Sequence, residues 1–117
     1  NSICVKVITS DSETIVKGAL IAKGIKRIVQ VNDYITSIEP KKHIILVPHT
    51  NKPNMVAKVA GILGADNINI SGMQVAQSRN DDAKSIMIIS VDSVVEEETL
   101  NKIAETDGIE GAKYISL

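Results

Sequence analysis

The 117-residue sequence has no tryptophan, no phenylalanine and only two tyrosines, Tyr34 and Tyr114. Its core must therefore be aliphatic, and with hydrophobic residues at 44% the supply is mainly Ile, Val, Leu, Met and Ala. Such a composition favours strands. It also excludes an RNA-recognition surface, which stacks bases on aromatic side chains of its central strands. Charge of one sign is lacking too. With 13 basic and 14 acidic residues the formal net charge is −1, too little to neutralise a phosphate backbone or an anionic membrane. Neither nucleic acid nor a membrane is expected as a partner. The single cysteine, Cys4, has no partner for a disulfide and no C-x-x-C loop for a metal, so it reads as a buried strand residue in a reducing, cytoplasmic setting. No window approaches the ~20 apolar residues of a membrane span, and no signal-peptide pattern is present. The G-x-G-x-x-G fingerprint, paired carboxylates and a Ser/His/Asp set are all missing, so no catalytic residue is assigned. The length suits one compact domain with at most a small appended piece. Asn1 opens the chain without an initiator methionine and a strand pattern begins at once, as in a piece of a longer protein.

Four short strands are expected in the first forty residues: Ser2 to Thr9, Glu13 to Ala22, Lys26 to Val31 and Tyr34 to Ile38. The turn formers Ser10-Asp11-Ser12, Lys23-Gly24 and Asn32-Asp33 separate them. They read as an antiparallel meander. Glu39-Pro40-Lys41-Lys42 breaks the pattern, and a boundary between a 1–40 unit and a 41–117 domain is expected there.

From His43 the rhythm changes. HIILV is an unbroken aliphatic run, as expected of a strand buried on both faces. Met55, Val56, Val59, Ile62 and Leu63 recur at helical spacing, and Gly64 stands where a C-terminal glycine would. Asn67 to Gln77 reads as a long strand, Ser78 to Ala83 as a polar connection and Lys84 to Val91 as a strand. Ser93 to Glu96 matches a capping box, with Glu96, Glu97 and Glu98 at the positive end of the following helix. The buried face of that helix is expected to be Val95, Leu100, Ile103 and Ala104, and Gly111 to Ser116 closes the chain as a strand. The fold class is therefore α+β: a ferredoxin-like β-α-β-β-α-β domain preceded by a short antiparallel meander. That fold hosts many functions.

One polar cluster, PHTNKPN at residues 48–54, interrupts the aliphatic runs. It is expected as a strand-to-helix loop, with Asn51 as N-cap and Pro53 in the first turn. A helix N-terminus presented in a polar loop suits a carboxylate or phosphate. The amide oxygen of Asn51 accepts from an ammonium, and His49 offers a donor or an acceptor. A carboxylate and an ammonium together describe an amino acid. The blander reading is an Asn that only caps a helix and an exposed histidine with no role. A metal held by His43 and His49 lacks a third ligand. In DNINISG, Asn69 stands between Ile68 and Ile70, where a buried amide needs partners. Asn51 and Asn69 flank one helix, about 15 Å or more apart, so one small ligand touches both only where a two-fold dimer brings two chains together.

These residues carry a resemblance. HIILVPHTNKPNMVAKVAGILGADNINISGMQV, followed by AKSIMIISVD, VVEEETLNKI and GIEGAKYISL, resembles the ACT domain that ends D-3-phosphoglycerate dehydrogenases, from Lys42 to Leu117. VKGALIAKGIKRIVQVNDYITSIEP is similar to the tail of the allosteric substrate-binding domain that precedes it in the long form. The resemblance implies a non-catalytic regulatory region of an NAD-dependent oxidoreductase of serine biosynthesis, with NAD bound elsewhere in the parent enzyme and no cofactor here. It implies allosteric feedback by L-serine, or another small amino acid, bound at the interface of an ACT homodimer. Its implied ligands are His49 and Asn51 of the H-x-N-x-P loop and Asn69 of the partner subunit, with Thr50, Pro53, Asn54 and Met55 as loop contributors. The family pattern has glycine after the proline, where this chain has Asn54. The run Lys23 to Arg27 falls near the substrate or phosphate site of the preceding domain, or is a solvated turn. An ACT-containing accessory region of an iron–sulfur L-serine dehydratase β chain, and a ligand-free ACT assembly module, are the alternatives.

Overall fold

The structure is a computed structural model and describes residues 2–8, 13–22, 25–39 and 41–116. Strands β1 (Ser2–Ile8), β2 (Glu13–Ala22), β3 (Ile25–Val31) and β4 (Tyr34–Ile38) form an antiparallel sheet in sequence order. The expected meander is present. Its β3–β4 turn uses Asn32 at φ 50, a left-handed angle that Asn tolerates better than most side chains. Asn32 is also stitched to β2: its N–H donates to the Ile15 carbonyl at 2.8 Å and its Oδ1 accepts the Ile15 N–H at 2.9 Å. The Ser10-Asp11-Ser12 and Lys23-Gly24 turns, Pro40, the Cys4 side chain and most of the Lys23 to Arg27 run lie outside the described residues.

The rest of the chain runs β5 (His43–Thr50), α1 (Met55–Ala65), β6 (Ile70–Gln77), β7 (Lys84–Val91), α2 (Glu97–Ala104) and β8 (Lys113–Ser116). The sheet order is β6-β7-β5-β8 with every neighbouring pair antiparallel. This is the ferredoxin-like arrangement. Strand alternation sends Ile44, Leu46, Ile86, Ile88 and Ile115 to one face, where they cluster with Val16, Ile28, Val31, Tyr34 and Ile38 of the meander. Ile45, Val47, Met87, Ile89 and Val91 go to the other face, against Met55, Val59 and Leu63 of α1 and Ile103 of α2. Both faces of the central strands are thus covered, which is why HIILV carries no polar alternation. The layers are meander, sheet and helices.

Helix α1 buries Met55, Val59 and Leu63 at a spacing of four residues; full burial of such a side chain is worth about 2 kcal/mol. Val56, expected on that face, is 39% exposed. Gly64 does not end the helix. Asn67 does, at φ 63, with its N–H on the Gly64 carbonyl at 3.0 Å and the Ile68 N–H on the Leu63 carbonyl at 2.9 Å. This is a Schellman closure with Asn in the left-handed position, and Ile68 packs on the core that holds Leu63. A left-handed residue cannot continue as strand, so β6 starts at Ile70 rather than Asn67.

The Ser93 capping box is not formed: α2 begins after Glu96, which makes no side-chain cap bond. Its buried face includes Thr99, while Ala104 is exposed. Thr99 is turned inward because its Oγ1 donates to Asp66 Oδ2 at 2.6 Å, tying the start of α2 to the end of α1. Strand β8 is confined to Lys113–Ser116, shorter than the expected run from Gly111.

Candidate functional site

Pro48, His49 and Thr50 continue β5 instead of opening a loop. Pairing on both sides holds them there. On one side His49 faces Ser85 and Thr50 faces Lys84 in the β5–β7 ladder. On the other, the Pro48 carbonyl accepts the Glu110 N–H at 2.8 Å and the Thr50 N–H donates to the Gly108 carbonyl at 2.8 Å. His49 is consequently buried, 2% exposed, and is not the exposed ring of the blander reading. Its Nδ1 lies 3.0 Å from the Val47 carbonyl oxygen. A carbonyl only accepts, so Nδ1 carries the proton and Nε2 of the neutral ring is an acceptor.

Asn51 does not cap α1. The N-cap is Asn54, at φ 74 and without a side-chain cap bond, and Pro53 lies ahead of the first turn. Asn51 turns instead to the β6–β7 hairpin, its N–H donating to the Ala83 carbonyl at 2.7 Å and its Nδ2 to the Asp82 carbonyl at 3.1 Å. The left-handed angle at Asn54 is the physical counterpart of the glycine that the resembling family has there, and Asn tolerates it. With no side-chain cap and no acidic residue in the first turn, the leading N–H groups of α1 and its positive dipole end are uncompensated.

Gly108 holds the loop from its other side. At φ +87, a Cβ there would stand 2.6 Å from Lys52 Cε and 2.8 Å from Met55 Sδ, so a side chain would have to take a strained left-handed angle and displace the ends of those two side chains. Lys52 Nζ pairs with Asp107 Oδ2 at 3.2 Å. Thr50, Lys52, Pro53 and Asn54 are exposed around this junction, while Met55 is 2% exposed and belongs to the core.

Asn69 is elsewhere. It precedes β6 and is exposed, not buried, with Nδ2 donating to Asp92 Oδ2 at 2.6 Å. Ile70 pairs with Val91 at the end of the sheet that holds His43, whereas Thr50 pairs with Lys84 at the far end. At strand rise that separation is roughly 25 Å. His49, Thr50, Asn51 and Asn54 thus lie along one strand-to-helix stretch at this end of the sheet, and Asn69 lies at the other end.

Four further polar residues at this end of the sheet, Ser85, Ser78, Asn80 and Asp33, escape sequence reasoning, because strand register and tertiary docking place them. Ser85, opposite His49, is fully buried, and among the described residues its Oγ is the buried side-chain polar atom without a partner. Ser78 Oγ donates to Asp33 Oδ2 at 2.7 Å and Asn80 Nδ2 reaches the same oxygen at 3.3 Å. The Ser78 bond, aided by Asn80 and by the Lys84 charge, holds the Asp33 carboxyl below its usual range. Burial pushes the neighbouring Tyr34 hydroxyl above its ordinary value. Of the basic run, Arg27 lines an open groove of about 360 Å³ beside β4 and β6, with Ser37, Glu39, Lys41, Gln74 and Ser90. Among the described residues no group of three His, Cys, Asp or Glu side chains is placed to hold a metal, and no helix is long and apolar enough to cross a membrane.

The fold and the strand–loop–helix junction define a ferredoxin-like domain compatible with the ACT type, with a meander sheet on its open face. Over most of its length the chain is homologous to D-3-phosphoglycerate dehydrogenases and is consistent with a fragment of that enzyme. It is 34% identical over 92 residues to the enzyme of Archaeoglobus fulgidus, covering 78% of this chain and 18% of the relative. It is 30% identical over 102 residues to that of Synechocystis, covering 86% and 18%, and 29% identical over 117 residues to that of Bacillus subtilis, covering 100% and 22%. The chain therefore spans about a fifth of the length of these relatives. No protein-family model matches it.

Proposed function

We propose that the chain is the regulatory, L-serine-sensing segment of an NAD-dependent D-3-phosphoglycerate dehydrogenase, an ACT domain that damps catalysis carried out elsewhere in the protein. The match to the Bacillus subtilis dehydrogenase over the whole chain carries this reading, since it includes the entire strand–loop–helix unit. The chemistry of the loop supports an amino acid. The uncompensated start of α1 suits a carboxylate. Asn51 Oδ1 and His49 Nε2 are both acceptors and suit the ammonium and hydroxyl of L-serine. NAD binds in the parts of the enzyme outside this segment.

The reading includes a homodimer. β6 is an edge strand, and Val75 on it, 47% exposed, lies on the helix face opposite Met87 in register. An edge strand that carries an exposed apolar side chain favours cover by another chain. An isologous antiparallel pairing of β6 runs the Ile70 end of one copy beside the Gln77 end of the other. Asn69 then meets the Asn51 loop of the second copy, and the separation of roughly 25 Å along one sheet no longer divides the site. Binding that favours one packing of this dimer over another shifts the domains attached to it. Calorimetric titration of the full-length protein with L-serine, together with thermal shift against a panel of amino acids, tests the proposal. A stereospecific rise in melting temperature is expected, and no response to any amino acid overturns it in favour of a ligand-free assembly module.

A further inference from the structure

We infer that Asp33 and Ser78 are positioning residues for the amide of Asn51 and thereby determine which of its atoms a ligand meets. The inference rests on the reading of the 49–54 junction as an amino-acid site. A carbonyl oxygen only accepts, so the Asn51 atom 3.1 Å from the Asp82 carbonyl is the amide nitrogen. Oδ1 is therefore the end left for a ligand, and it selects a donor such as an ammonium or hydroxyl. Were the amide turned over, it would present a donor instead and favour a carboxylate. Amide orientation is thus a specificity element, and the position of the hairpin loop sets it.

That loop has no core of its own: Arg79, Asn80, Asp81, Asp82 and Ala83 are all exposed. Inside the hairpin it is shaped by the Ala83 N–H on Asp81 Oδ1 at 2.9 Å, the Lys84 N–H on the Asp81 carbonyl at 3.1 Å and the Ser78 N–H on the Lys84 carbonyl at 3.0 Å. These bonds fix its shape, and Asp33, together with the Tyr34–Ser78 backbone bridge, ties it to the meander. One carboxylate oxygen of Asp33 receives both Ser78 Oγ and Asn80 Nδ2, and Ser78 Oγ in turn accepts the Asn80 N–H at 3.2 Å. A backbone bridge between Tyr34 and Ser78 lies alongside. Asp33 itself sits in the turn that Asn32 stitches to β2. The meander is therefore linked through the hairpin to Asn51, whose N–H and Nδ2 both rest on that hairpin. A shift of the preceding domain at this turn reaches the ligand-facing amide without passing through the sheet core.

The test uses the full-length protein and the variants Asp33→Ala, Ser78→Ala and Asp33→Asn, the last of which keeps an acceptor oxygen for Ser78. Two readouts are taken: L-serine affinity by calorimetry, and amide hydrogen exchange of residues 51–54 by mass spectrometry without ligand. Asp33→Ala and Ser78→Ala are expected to weaken L-serine binding about tenfold, the weight of one well-made hydrogen bond, and to speed exchange at 51–54 while the Lys113–Ser116 strand is unaffected. Asp33→Asn recovers most of both. Unchanged affinity together with unchanged exchange overturns the inference. If the unmodified protein does not bind L-serine, the proposed function falls, and exchange at 51–54 alone decides the positioning role: acceleration upholds it and no change ends it.

Discussion

Ser85 stands directly opposite His49 across the β5–β7 ladder, and the two share the helix-facing side of the sheet. His49 has an anchor in the Val47 carbonyl, whereas the Ser85 hydroxyl is fully buried and unpartnered. A buried hydroxyl without a bond is a standing cost of about 1–3 kcal/mol.

Ser85→Ala is therefore expected to raise the stability of the ligand-free protein by about 1 kcal/mol. Urea unfolding monitored by circular dichroism checks this. A loss of stability would mean that the hydroxyl has a partner in solution.

Asn51→Ala and His49→Ala are each expected to abolish measurable L-serine binding. For Asn51→Ala the fold is retained, because an exposed residue is truncated and the Ala83 bond uses its backbone. His49→Ala removes a buried ring and is expected to cost about 2–3 kcal/mol of stability as well. Affinity measured below the melting transition separates the two effects, and serine binding unchanged in Asn51→Ala would remove this residue from the site.

Gly108→Ala is expected to destabilise the protein by about 1–3 kcal/mol. Its backbone angle is unfavourable for any L side chain, and the added methyl would stand 2.6 Å from Lys52 and 2.8 Å from Met55. Because Gly108 also accepts the Thr50 N–H, ligand affinity should fall with stability. A variant as stable as the parent in thermal unfolding would show that the 106–110 segment yields at no cost.

Legibility from sequence followed the range of each interaction. Strands and the ferredoxin-like order were readable because aliphatic alternation and helical spacing are local patterns: Met55, Val59 and Leu63 are buried as their spacing demands. Helix ends were misread. Asn67 ends α1 in place of Gly64, and Asn54 rather than Asn51 begins it, because Asn takes the left-handed angle that a sequence scan assigns to glycine. In the candidate site the residue types were visible but their states were not. His49 is buried by Ser85 and the 108–110 segment, and Asn51 is drawn away by a hairpin more than thirty residues downstream. Neither partner leaves a mark near PHTNKPN.

The contact between Asp66 and α2 carries a pH dependence with a definite sign. Asp66 receives Thr99 Oγ1 at 2.6 Å and Lys102 Nζ at 3.0 Å, and these bonds, Thr99 first, hold its carboxyl below 3.8. A folded-state value below the unfolded one contributes stability that is complete above 3.8 and lost as pH falls through the lower folded value. Lys102 responds from the other side: its bond to Asp66 raises it above 10.5, so its contribution is complete below 10.5 and lost as pH climbs through the higher folded value. The two shifts describe one contact that is intact across the neutral range. Asp66→Asn should accordingly unfold at lower urea than the parent at pH 7, with the gap closing as the solution is taken well below pH 3.8. Thr99→Val tests the ranking of the two partners. If the hydroxyl is the larger influence, this variant moves the Asp66 carboxyl back toward 3.8 in a carboxylate titration followed by NMR, and moves it further than Lys102→Met does. A gap between parent and Asp66→Asn that stays constant from neutral to acid would show that the carboxylate adds nothing in its charged form, and that α1 and α2 are joined only by the apolar packing around Leu63 and Ile103.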